Sequence, residues 1–375
     1  MMKIAWITPS SFIDVDLPII AELQKNVQIF WQIVVYGSVN KDLRTPIESQ
    51  LSDTINVRYE YVEIPYRVFD LRTLRTYCSV LKKAKAYRAD LLYTSLGTAP
   101  FGPWVYRLYF PNRKTISACH NVTTPKGANQ ERYNRFYTAW QLRSFKNIQV
   151  FSESQRVVLI NKYRNKNVLL APLAIKDYGE PSDFIKQFDE DRIVFLFFGI
   201  ISTYKRVDLL IEAAQQLFEQ GYKNFKVKIA GSCKNWSEYA SRIRIPELFD
   251  LRIERIPNNE VANLFANSDY FVMPYQDIAQ SGAITVAYRY NLPIILSSLP
   301  QFLPFCEDGK TGFFFERGNL EDLISVMTKV LKGGKVLHSN LARELSSFVA
   351  ENYSTSAITE KYYVFFRQLI EINDK

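Results

Sequence analysis

Cysteine is scarce in this sequence. Four residues, Cys78, Cys119, Cys233 and Cys306, stand far apart across 375 positions. None has the paired spacing of a zinc site or a disulfide framework, so a metal-stapled or disulfide-dense fold is excluded and a reducing cytoplasm is the expected home. Long apolar runs are missing too. No stretch approaches the roughly 18 apolar residues of a membrane-spanning helix. The opening run MMKIAWITPS lacks the apolar region of a signal peptide. A soluble or peripheral protein is expected. Heptads, low complexity and short repeats are absent. What remains is ordinary globular usage, 47% hydrophobic and 23% charged, in a chain long enough for two cores rather than one.

Charge is unevenly spread. Residues 1–180 hold 25 Lys and Arg against 14 Asp and Glu, whereas residues 181–375 hold 22 against 24. The excess peaks over 101–150, where eight basic residues meet only Glu131 among interleaved aromatics such as Trp104, Tyr106, Phe136 and Trp140. A face of this kind suits anionic lipid headgroups or a phosphorylated lipid. The plainer alternative is a solvated basic face with its rings turned to the core. No DNA- or RNA-binding motif accompanies the charge, so nucleic acid is not an expected partner.

Apolar strand-like runs alternate with helical spacing along the chain. Strands are expected at 2–8, 27–36, 57–64, 91–94, 115–118 and 148–151, with helices at 17–23, 71–87 and 130–145. Residues 97–101 read as a turn. The Pro-, Gly- and charge-rich stretch 171–191 marks a boundary. A second series follows, with strands at 193–198, 225–230, 251–256, 270–273 and 294–296 and helices at 207–218, 260–266, 320–331, 337–349 and 356–372. The pattern predicts α/β architecture with doubly wound parallel sheets. Its domains are 1–180, basic and membrane-facing, and 190–355, with 356–375 a terminal helix packing back on the first. Ligands of such sheets sit beyond the carboxyl ends of the strands, so the cleft between two facing domains is the expected site.

The stretch 271–293, FVMPYQDIAQSGAITVAYRYNLP, organises the second half. A strand, a Gln280-Ser281-Gly282 turn and a new helix make an anion site, because the first amides of a helix lack partners and its dipole favours negative charge. Gly282 lets a phosphate approach without a Cβ in the way. The plainer reading is a strand-to-helix loop with a Ser cap.

Several segments taken in order are more specific than any one. They are FGIISTYKRVDLLIEA at 198–213, KIAG at 228–231, RIPNNEVANLFANSDYFVMPY at 255–275, QSGAITVAYRYNLPIIL at 280–296 and EDGKTGFFFERG at 307–318. This series resembles the nucleotide-sugar domain of the group 1, family 4 retaining glycosyltransferases of GT-B fold. ACHNV at 118–122 and VFSESQ at 150–155 extend the resemblance to the N-terminal half. It implies two Rossmann-like domains facing across a cleft and transfer of a sugar from a nucleotide diphosphate sugar. The acceptor is a glycan or a lipid-phosphate-linked glycan of cell-surface polysaccharide synthesis, such as capsule or O-antigen.

In such chemistry fixed positive groups must already point at the departing diphosphate. The resemblance puts Lys205 on that diphosphate, with Ser281 and Gly282 supplying helix-start amides beside Gln280. His120 matches the family's cleft histidine near the reaction centre. Asn121 either holds its turn or contacts sugar hydroxyls. Gly231, Ile256 and Pro257 fall where the family holds base and ribose. Two departures stand out. The family arginine positions are Ile200 and Ser202, leaving Arg206 as substitute. The family's paired glutamates fall near Ile278 and Val286, where only the adjacent Asp277 is acidic, as expected of a Gln-Ser-Gly branch without the pair.

Asp14 and Asp16 have metal-pair spacing but sit in the other domain, where an acceptor-binding or helix-capping role is expected. No metal or other cofactor is therefore expected. The location is the cytoplasm, at the inner face of the membrane. Two other readings remain: a catalytically silent accessory protein on the same scaffold, and a GT-B epimerase or phosphorylase.

Overall fold

A computed structural model describes residues 1–52, 54–67, 70–96, 102–123, 131–182, 189, 192–278 and 282–373. The chain divides into two compact units, one made of Met1–Ala174 with Tyr353–Lys375 and the other of Ile175–Asn352. Each is built around one parallel sheet.

The first unit contains β1 (Met2–Pro9), α1 (Ile13–Leu23), β2 (Val27–Tyr36), α2 (Lys41–Leu51), β3 (Val57–Ile64), α3 (Leu71–Ala86) and β4 (Leu91–Thr94). It continues with α4 (Gly102–Tyr109), β5 (Thr115–Ala118), α5 (Glu131–Ser144), β6 (Asn147–Val150), α6 (Glu153–Lys162) and β7 (Asn167–Leu170). The strands lie in the order β3-β2-β1-β4-β5-β6-β7. Register is set down the middle, with Ile4 opposite both Ile29 and Leu91. The central strands β1, β4 and β5 are buried along nearly their whole length, which is why they read as unbroken apolar runs.

The second unit contains β8 (Ile193–Phe198), α7 (Val207–Glu219), β9 (Phe225–Ala230), α8 (Trp236–Ala240), β10 (Phe249–Arg252), α9 (Asn258–Ala266) and β11 (Tyr270–Met273). Then come α10 (Gly282–Arg289), β12 (Ile294–Ser297), β13 (Gly312–Phe315) and α11 (Leu320–Asn352). The order β10-β9-β8-β11-β12-β13 reverses direction beside β8, so the loops after β8, β9 and β11 come together at one end of the sheet. The two late helices expected at 320–331 and 337–349 are one element bent at Gly334, whose φ of 51° and ψ of −148° are not helical. The strand expected at 251–256 is β10, and Ile256 lies beyond it. The turn read at 97–101 falls outside the described residues.

The last helix, α12 (Thr355–Asn373), belongs to the first unit. Its Ile358, Tyr362, Phe366 and Leu369 join the core around Trp6, Trp31 and Tyr93. The Tyr93 hydroxyl donates to Gln149, whose amide in turn donates to the Tyr362 hydroxyl at 2.5 Å. A fully buried polar chain of this kind is tolerated because every member is paired.

Candidate functional site

In the second unit the site is built from backbone first. The Gly199 N–H donates to the Ala230 carbonyl, and the Gly231 N–H to the Arg252 carbonyl. The loops after β8 and β9 thus lie main chain against main chain, and a Cβ on Gly231 would enter the Gly199 carbonyl. With φ of +149° and no room, only glycine serves at 231.

Lys205 follows six residues after Gly199. Its Nζ lies 3.2 Å from where a Cβ on Gly199 would be and 5.4 Å from the centroid of the Tyr275 ring. Burial pushes the ammonium down to about 8, because losing water disfavours the charged form. No carboxylate pairs with it among the described residues. The Ser202 hydroxyl in the same loop is buried without a partner. A desolvated amine and an unsatisfied hydroxyl beside a bare backbone form a site with spare capacity for an anion.

The loop after β11 joins this one. The Gln276 N–H donates to the Tyr204 carbonyl at 2.6 Å, and the Tyr204 and Tyr275 rings meet edge to face at 6.1 Å. Gly282 opens α10 at the end of that loop. Gln280 and Ser281 lie outside the described residues. Lys176, which the sequence does not single out, brings its Cε to 3.3 Å from where a Cβ on Gly282 would be. The segment carrying it is tied to α10 by the Lys176 N–H on the Thr285 hydroxyl and by Arg289 on Asp177 at 2.8 Å.

Four residues expected here differ in detail. Arg206 has a left-handed backbone, with φ of 50°, and pairs with Asp208 at 3.1 Å while reaching Gln276 at 3.4 Å. Its charge is therefore already partly answered. Ile256 is buried and Pro257 caps α9, so any contact there comes from the main chain. Asp277 is exposed, and its carboxylate accepts the N–H of Ile278. The two glutamate positions, Ile278 and Val286, are buried apolar side chains.

In the first unit, His120 and Asn121 follow β5 as the sequence indicates. His120 is sandwiched between Phe12, after β1, and Phe151, after β6, at centroid distances of 4.0 and 4.2 Å and interplanar angles of 27° and 20°. Burial lowers its pKa to about 4, against a smaller opposing pull from the Asp14 carboxylate. The imidazole is neutral, and its buried Nε2 has no hydrogen-bond partner. Gln155 steadies the loop by accepting the Val122 N–H at 2.6 Å. Asn121 is exposed, and its N–H meets the Cys119 thiol.

The two aspartates part company. Asp14 is exposed near His120, whereas Asp16 is fully buried. One Asp16 oxygen accepts from Thr8 at 2.6 Å, Ser95 at 2.8 Å and the Trp6 indole at 3.1 Å. Desolvation nevertheless raises its pKa to about 6. An acceptor-binding or capping role for Asp16 is thereby corrected: the carboxylate is spent holding α1 to the ends of β1 and β4.

Two compact units, each built on one parallel sheet, match the GT-B fold of solved glycosyltransferases. Residues 180–346 match the family described as glycosyl transferases group 1. Among curated proteins, the poly(ribitol-phosphate) alpha-N-acetylglucosaminyltransferase of Staphylococcus aureus (strain COL) is 24% identical over 232 residues. That alignment covers 58% of this chain and 43% of the relative, so the match spans under half of the relative's length. Sucrose-phosphate synthase from Thermosynechococcus elongatus superposes with a TM-score of 0.73 at 13% identity, covering 99% of this chain and 100% of the other. Anabaena HepE in complex with UDP and glucose superposes at 0.70 and 14% identity, covering 98% and 100%. At these identities the superpositions speak for the fold.

Proposed function

We propose that the protein is a retaining glycosyltransferase that moves a sugar from a nucleotide diphosphate sugar to a glycan or lipid-linked acceptor of cell-surface polysaccharide synthesis. The observation that carries this reading is Lys205, a half-buried ammonium with no carboxylate paired to it among the described residues, set against the bare main chain of Gly199. A diphosphate leaving group needs positive charge already in place as it departs, and a desolvated amine supplies it without reorganisation. The first amides of α10 add to it.

Support for the donor class comes from HepE, whose structure holds UDP and glucose. Support for the acceptor class comes from the S. aureus relative, which by its name acts on poly(ribitol-phosphate). Peripheral contact with an anionic membrane belongs to the same reading; no helix among the described residues is long and apolar enough to cross a membrane. Because Lys205 and helix amides meet the diphosphate charge, turnover is proposed to survive a chelator. Complete loss in EDTA, restored by magnesium, contradicts this part.

The test is a panel of nucleotide sugars with lipid-linked and free glycan acceptors. Acceptor-dependent release of a nucleoside diphosphate is expected, with the anomeric configuration retained in the product. Ile278 and Val286, buried and apolar where the family pair is acidic, favour one second reading, a silent binding protein. Calorimetry separates the two: nucleotide binding without turnover across the panel selects the silent protein.

A further inference from the structure

We infer that the outward faces of α4 and α5 form a docking surface for an anionic lipid bilayer. The inference gives residues to the membrane part of the proposed function and is independent of the transfer chemistry.

The two helices repeat one pattern. On α4, Trp104, Arg107 and Leu108 are exposed at spacing i, i+3, i+4, and on α5 Arg132, Arg135 and Phe136 repeat that spacing. Residues so spaced share one helix face, so each helix turns outward a stripe that mixes apolar and cationic side chains. Trp104, Leu108 and Phe136 are 71%, 75% and 71% exposed. Scattered exposed hydrophobics need no explanation, but large ones on the same faces as cations do. The opposite faces are committed to the core, through Val105 and Tyr106 on one helix and Tyr137 and Leu142 on the other. The helices are fastened together, Arg107 donating to the Ser144 carbonyl at 2.5 Å. α4 packs against α3 as well as α5.

Charge selects the occupant. From Leu71 to Ala86, α3 carries five Lys and Arg, of which Arg72 pairs with Asp70 and Lys83 with Glu60; α4 carries no acidic residue, and α5 has only Glu131 at its start. An anionic headgroup layer answers the cations while the bilayer interface accepts tryptophan, leucine and phenylalanine. A nucleic acid would answer the charge but leave the leucine exposed. An acidic protein would require an apolar groove of its own.

The experiment is co-sedimentation of the full chain with vesicles of phosphatidylcholine alone and of phosphatidylcholine mixed with phosphatidylglycerol. Binding to the mixed vesicles, weak binding to the neutral ones and weakening by salt are expected. The triple variant Trp104→Ser, Leu108→Ser, Phe136→Ser should keep its circular dichroism and bind mixed vesicles at least about ten-fold less. Arg132→Gln with Arg135→Gln should remove the preference for anionic lipid. Equal binding to both vesicles, no binding to either, or a triple variant that binds undiminished overturns the inference. So does release of the bound protein by single-stranded nucleic acid with no dependence on the three apolar side chains. Nucleotide-sugar turnover on a soluble acceptor, assayed alongside, reports separately on the proposed function.

Discussion

Replacing Phe12 with alanine strips one of the two rings from His120 and admits water to that face of the imidazole. In the intact protein the histidine is lowered from 6.5 to about 4, which corresponds to about 3 kcal/mol in favour of the neutral form. Phe12 and Phe151 stack on it at nearly equal distances, so opening one face should return roughly half of this and bring the group to about 5. The chain has only two histidines, and His338 is held elsewhere, at 3.2 Å from the Asp269 carbonyl. Imidazole carbon-13 labelling therefore gives two resonances, and His338→Gln identifies them. A pH titration reads the result directly. His120 titrating near 6.5 in the unaltered protein, or failing to move in Phe12→Ala, refutes the reasoning.

Stability alone would be a poor readout, and the signs show why. The unfolded chain protonates His120 below about 6.5 while the folded chain waits until about 4, so stability drops as pH falls through that window. Asp16 acts oppositely. Its folded value is raised from 3.8 to about 6, so its contribution is present below about 3.8 and is lost as pH rises through 6. The two slopes oppose each other over the same range.

Further expectations concern the anion site and the buried network. Lys205→Ala should lower turnover at least about ten-fold with the fold intact, measured as nucleoside diphosphate release. Because the Lys205 ammonium sits at about 8 in the free protein, calorimetric donor affinity should weaken about five-fold between pH 8 and 9; an affinity flat to pH 9 counts against Lys205 as the phosphate cation. Gly231→Ala should destabilise the second unit by about 1–3 kcal/mol or abolish donor binding, since its Cβ meets the Gly199 carbonyl. Asp16→Ala should cost about 1–3 kcal/mol by stranding the Thr8, Ser95 and Trp6 donors, whereas Asp16→Asn should hold its melting temperature at neutral pH because the amide oxygen still accepts.

Most of the parallel sheet could be read from the chain. β2, β3, β4, β5, β8, β9 and β11 match their expected spans: most are buried parallel strands that leave continuous apolar runs, whereas β3 and β9 show alternation instead. The edge strands β7 and β13 did not stand out: β7 is mostly half-buried and opens on Asn167, and β13 opens on Gly312 and directly precedes a charged turn. α4 was hidden behind Gly102 and Pro103 at its start, where a proline is tolerated in a first turn yet reads as a break, and α2 behind Pro46 inside the helix. At the candidate site, motif order singled out Lys205, Gly231 and His120. It did not reveal the Phe12–His120–Phe151 stack, which joins three distant loops, or Tyr275 under the Lys205 amine. Contacts between loops are fixed by strand order, and strand order is not written locally in the sequence.

The return of α12 to the first unit sets an order of assembly. The 175–352 unit is continuous, so it can complete its interior as soon as it leaves the ribosome. The earlier unit must wait with Trp6 and Tyr93 uncovered until the last twenty or so residues supply Tyr362 and Phe366. A chain cut short near its end, or a bulky fusion placed there, therefore damages the half made first.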